Sequence, residues 1–137
     1  PMKFGGNLFS KNSSSNPQVG LEYLDANVRA EIEEMMDGES DLIIDLIDTL
    51  LESTPEQLDA IDAGLAASDP QVVGDAGHAL KSAMAQMGAL TLSGLCKDLE
   101  ALGRKNSLEG MAAINKQVKS EYQKVTQALE AWKVSLS

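Results

Sequence analysis

One cysteine, Cys96, stands in a chain of 137 residues, so no disulfide can close within it. That usage leads us to expect a reducing, cytoplasmic setting. Histidine is equally scarce, with His78 alone. A zinc site draws on several His or Cys ligands, and one of each does not supply it. The inward Glu-x-x-His pairs of carboxylate-bridged metal bundles are absent, as is a Walker-type loop or a dinucleotide fingerprint. No metal ligands, bound cofactor or ATP site are therefore assigned. Basic side chains number 11 against 21 acidic ones, a net charge of −10. Nucleic acid and anionic membrane surfaces, both of which call for cationic contacts, are excluded as partners. No apolar run approaches the roughly 20 residues of a membrane span. The opening Pro1-Met2-Lys3-Phe4 carries no secretory hydrophobic segment, and Met2 reads as the natural start.

Aromatic residues make up only 4%, while Leu, Ala, Met, Glu and Asp are abundant, a balance that favours helix over sheet. Residues 1–20 are rich in Gly, Ser and Asn toward their end and read as a flexible arm. Residues 21–137 then follow helical periodicity as one domain. A first helix is expected over 21–36, with Leu24, Val28, Ile32 and Met35 on one face and Gly38 beyond its end. That face either closes one end of the fold or offers an apolar patch. Ser40 is the expected cap of a second helix, which Pro55 should kink or interrupt. Asp69-Pro70 is a cap followed by proline at the first helical position, a strong start signal for the helix bearing His78. Thr91 is the expected cap of the next helix and Ser107 of the last. In the last, Met111, Ile114, Val118, Tyr122, Val125, Leu129 and Trp132 recur at spacings of three and four. The expected fold is all-α, an antiparallel four-helix bundle with an additional N-terminal helix.

On its helix, His78 falls opposite the apolar stripe of Val72, Val73, Ala76, Leu80, Ala83, Met84 and Met87. Gly74, Lys81 and Ser82 lie one turn away on the same side and Ala85 two turns on. Neutral imidazole is a nucleophile that can attack phosphorus through one nitrogen while the other keeps a proton. Lys81 would set an ammonium beside the added negative charge, and the Ser82 hydroxyl could donate to the same oxygens. Gly74 and Ala85 would leave room for a docking protein. Glycine inside a helix costs roughly 0.5–1 kcal/mol relative to alanine, so Gly74 and Gly77 call for a reason. Close approach of a partner is one; contact with a neighbouring helix is the other. Asp75 is either a holder of the imidazole tautomer or a solvated carboxylate. Lys97, Glu100 and Arg104 occupy the polar side of the following helix, where most charges are merely solvated; Arg104 is the candidate for docking or for the phosphate environment. Cys96 reads as a small buried hydrophobe.

The run His78-Ala79-Leu80-Lys81-Ser82-Ala83-Met84-Ala85-Gln86-Met87-Gly88-Ala89 resembles the signature of histidine phosphotransfer (Hpt) domains: a histidine, lysine three residues on, a small residue next, and glycine ten residues after the histidine. The likeness continues through Leu95-Cys96-Lys97-Asp98-Leu99-Glu100-Ala101-Leu102-Gly103-Arg104 and covers about residues 21–135. It implies a four-helix bundle whose exposed histidine takes a phosphoryl group from one receiver-domain aspartate and delivers it to another. Matched by position, His78 is the acceptor, Lys81 the phosphate neighbour, and Gly88 the motif glycine at the docking face. Ser82 stands where many members have glycine. The implied partners are receiver domains of response regulators and of a hybrid histidine kinase, with Mg²⁺ held in the partner's acidic pocket. A phosphocarrier without kinase activity of its own is expected, free-standing rather than cut from a larger kinase. The rival is a helical adaptor that uses the same surface without ever being phosphorylated.

Overall fold

A computed structural model describes residues 20–137; the arm expected at 1–20 lies outside them except for Gly20. A 3-10 turn at Leu21–Tyr23 leads into α1 (Ala26–Met35), α2 (Ser40–Ala66), α3 (Pro70–Gln86), α4 (Leu90–Arg104) and α5 (Met111–Leu136). Helices α2 to α5 form a ring in which each packs against its sequence neighbour and α5 closes back on α2. Side-chain bonds show the two closing helices to be antiparallel. Asn115 bonds Asp62, Tyr122 bonds Thr54, and Lys133 bonds Asp48, so α5 ascends as α2 descends. The expected all-α bundle with an extra N-terminal helix is what the described residues form.

The interior is aliphatic and sulfur-rich, as scarce aromatics require. Ile43, Ile47, Ile61, Val73, Leu80, Met84, Leu92, Leu99, Met111 and Leu129 are fully buried. Each such side chain is worth about 1.5–3 kcal/mol of transfer free energy. The α5 stripe lies inward as its spacing predicts, ending at Trp132, whose Nε1 donates to Glu33 of α1 at 3.1 Å. Asp69 caps α3 by accepting from the Val72 amide, with Pro70 at the first helical position.

Several expectations about where the helices begin and end are corrected. The first helix is not continuous over 21–36: Leu24 is extended, and Asp25 caps a shorter α1 by accepting from Val28 N at 3.0 Å. Leu24 and Ile32 are buried, but Met35 is 73% exposed, because α1 ends there and the chain turns through Asp37 and Gly38, both at positive φ. Of the two outcomes expected at Pro55, a kink or an interruption, the interruption does not occur: α2 runs through Pro55, which lies on the exposed side, where solvent can replace the lost backbone bond. Ser40, Thr91 and Ser107 are not caps. Ser40 is the first helical residue of α2, α4 begins one residue before Thr91, and α5 begins after Gly110. Ser107 instead accepts from Glu109 N within a turn.

Helix α1 sits across one end of the ring, anchored by Trp132 to Glu33 and by Asp25 N donating to Gly88 O at 2.8 Å. It therefore covers the end where α3 finishes and α4 starts.

Candidate functional site

His78 lies near the middle of α3, its side chain 58% exposed, with Nδ1 2.7 Å from Oε2 of Glu100 on α4. Glu100 itself is only 6% exposed, yet three groups converge on it. Besides His78, Lys81 Nζ donates to Oε1 at 2.7 Å and Arg104 Nη2 donates to Oε2 at 2.5 Å. The Lys81 hydrogen bond is the main reason that the Glu100 carboxyl is held below the usual carboxylate range; burial opposes it, and the His78 bond with the Arg104 and Lys81 charges reinforces it. An ionised carboxylate has no proton to give. Nδ1 of His78 must then be the donor, which leaves Nε2 carrying the lone pair on an exposed ring.

The position of Glu100 follows from the close approach of α3 and α4. Gly74 meets Gly103 so tightly that a Cβ on Gly103 would stand 2.6 Å from the Gly74 Cα. A Cβ on Gly77 would come within 3.0 Å of the Cys96 carbonyl. Higher up, Ser93 donates to the Lys81 carbonyl at 2.9 Å, fixing the two helices in antiparallel register. Beside this seam a cavity of about 430 Å³ opens, lined by Gln71, Gly74, Asp75 and His78 from α3 and Glu100, Gly103 and Arg104 from α4.

Of the residues singled out in the sequence, His78, Lys81 and Arg104 are brought together, through Glu100. Lys81 is 29% exposed and Arg104 74% exposed, so both ammonium and guanidinium stay within reach of solvent. Ser82 and Ala85 are exposed on the His78 side of α3. Gly74 does not clear space for an outside protein: it is buried, and its missing side chain admits Gly103. Gly77 likewise serves the α3–α4 contact. Gly88, expected at the docking face, is buried under the start of α1; at φ +84° it turns the chain, and a Cβ there would stand 3.0 Å from Asp25 N. Asp75 is exposed on the cavity, and the tautomer partner is Glu100 in its place.

Glu100, 6% exposed, is not one of the solvated charges expected on the polar side of α4. Its position one turn beyond buried Cys96, level with buried Ser93, puts it on the flank of the α4 stripe that faces α3. That flank was the available signal. Cys96 is buried as expected, and burial pushes its thiol up to about 12. Among the described residues no three of His, Cys, Asp and Glu converge as metal ligands, and no helix is long and apolar enough to cross a membrane.

A family model described as the Hpt domain matches residues 45–131. A solved structure, histidine-containing phosphotransfer protein B of Pseudomonas aeruginosa PAO1, is similar with 30% identity and a TM-score of 0.77, over 82% of this chain and 96% of that one. No curated protein matches the chain.

Proposed function

The chain belongs to the Hpt domain family, whose activity is histidine phosphotransfer in phosphorelays, and we propose that His78 carries the phosphoryl group on Nε2. The observation that carries this reading is the exposed ring held through Nδ1 by buried Glu100. Glu100 is a positioning residue: it selects the tautomer whose free lone pair faces outward. Attack by Nε2 on a receiver's aspartyl phosphate forms the N–P bond as the O–P bond breaks, and the leaving aspartate takes the electron pair. No proton has to leave the ring during this step, since the Nδ1 proton stays on the ring, donated in a hydrogen bond to Glu100.

Lys81 and Arg104 supply the nearby cations for the phosphoryl oxygens, and the Ser82 hydroxyl supplies a further donor. Ala85, with Ser82, keeps the approach to His78 low. Members of the family are phosphocarriers and work with receiver domains; here we assign as partners the receivers of response regulators and of a hybrid histidine kinase, in the cytoplasm. Kinase activity is not part of the assignment. No cofactor of its own is required, because Mg²⁺ bound in the partner's acidic pocket would stabilise the charge on the transferring group.

The test is incubation with phosphorylated receiver domains. Acid-labile, base-stable label should appear on this chain and vanish in His78→Gln. Label that persists in His78→Gln overturns the assignment, and absence of label from every receiver tried favours the adaptor reading.

A further inference from the structure

The charged groups that face His78 come from the two helices lining the cavity: Lys81 and Asp75 from α3, Glu100 and Arg104 from α4. Asp75 is exposed to water, whereas Glu100 is buried and bonded to Nδ1. Attack through Nε2 leaves the Nδ1 proton in place, so the product first forms as a phosphorylated imidazolium. A phosphoryl group there is itself an anion, and it gives Lys81 and Arg104 a second acceptor. Both can turn to it, Lys81 being half-buried on a flexible stem and Arg104 largely in solvent. Glu100 is then relieved of competing cations while the ring has become one.

Resting on the assignment of His78 as acceptor, we propose that Glu100 keeps the Nδ1 proton on the phosphorylated ring and thereby keeps the phosphoryl group easy to release. In release, an oxygen of a receiver carboxylate or of water bonds to phosphorus, the N–P bond breaks, and its electron pair returns to Nε2. With Nδ1 protonated, the leaving group is neutral imidazole. Without that proton it would be imidazolate, a far poorer leaving group. A glutamine at position 100 could still hydrogen-bond the ring, but it would bring no charge to stabilise the cation.

The wild-type protein and Glu100→Gln are loaded with phosphoramidate, from which Nε2 displaces ammonia, and loss of the phosphohistidine is followed by phosphorus NMR from about pH 5 to about pH 9. At the acid end the two should decay alike, both rings being protonated. Near pH 8 the variant should hold its phosphoryl group about tenfold longer or more, since glutamine brings no negative charge to keep the proton on Nδ1. Superimposed profiles, or faster loss from the variant at alkaline pH, overturn the proposal. A second measurement needs no variant. His78 is the chain's only histidine, so nitrogen NMR of the phosphorylated wild type reads its ring without ambiguity. Nδ1 should still bear its proton near pH 8, and a bare Nδ1 overturns the proposal. If phosphoramidate places no label on wild-type His78, the assignment of the acceptor fails, and this proposal with it.

Discussion

Glu100 Oε2 lies 2.7 Å from Nδ1 of His78 although the two residues are 22 apart in sequence, on different helices. One carboxylate thus sets both the orientation and the tautomer of the chain's only histidine. Removing it by Glu100→Ala should slow phosphoryl uptake from a receiver by about 10–100-fold, the loss seen when a metal-binding histidine, held in the same way, loses its carboxylate partner. Helix content by circular dichroism should be retained. A quenched time course checks this; an unchanged rate contradicts the role given to Glu100.

Acid stability follows from the same group. Glu100 is held below its ordinary range, chiefly by the Lys81 bond, so its contribution to stability is present above about pH 4.3, the unfolded value, and is lost as pH falls through the folded value. Asp62, lowered chiefly by its bond from Lys119, acts in the same direction. Urea unfolding of Glu100→Gln at about pH 3 and pH 6 should therefore show a smaller loss on acidification than the wild type does. An equal loss contradicts it.

Two glycines of α4 should respond in opposite ways to alanine. At Gly103 the new Cβ would stand 2.6 Å from the Gly74 Cα and 2.8 Å from the Pro70 carbonyl, both backbone atoms, so α3 and α4 must part. We expect Gly103→Ala to destabilise by about 1–3 kcal/mol. Gly94 has nothing within 4 Å of a built Cβ, and Gly94→Ala should stabilise by about 0.5–1 kcal/mol. Denaturant midpoints of the two variants check the pair.

Docking and chemistry can be separated on α3. Ala85 is exposed on the His78 side, two turns on, so Ala85→Trp should slow transfer from a receiver by about tenfold or more, as crowding at an interface centre does. Phosphoramidate loading should be unaffected, because the small donor needs no docking surface. Equal slowing of both reactions would place Ala85 in the chemistry and not in the contact.

Features written in local chemistry were legible from the sequence. Asp69-Pro70 starts α3 because the cap and the fixed φ act within one turn, and the α5 stripe is long enough to fix its buried face. His78 was placed in solvent correctly by the same logic. What failed depends on neighbours. Pro55 is tolerated because it lies on the outer side of a helix held by Ile47, Thr54 and Ile61 within. Thr91 and Ser107 have capping side chains, yet the bundle starts its helices elsewhere. Gly74 shares the face of His78 on the helix, but α4 closes on that face one turn below the histidine. Glu100 was missed for the same reason: its partners lie across that crossing, and only its flank position on α4 hinted at it.

The central claim is most directly tested by locating the phosphorus on the ring. In nitrogen-labelled protein charged from a phosphorylated receiver, phosphorus–nitrogen coupling should appear at Nε2 of His78, with Nδ1 still bonded to its proton. Coupling at Nδ1, or phosphorus on any residue other than His78, would contradict the account.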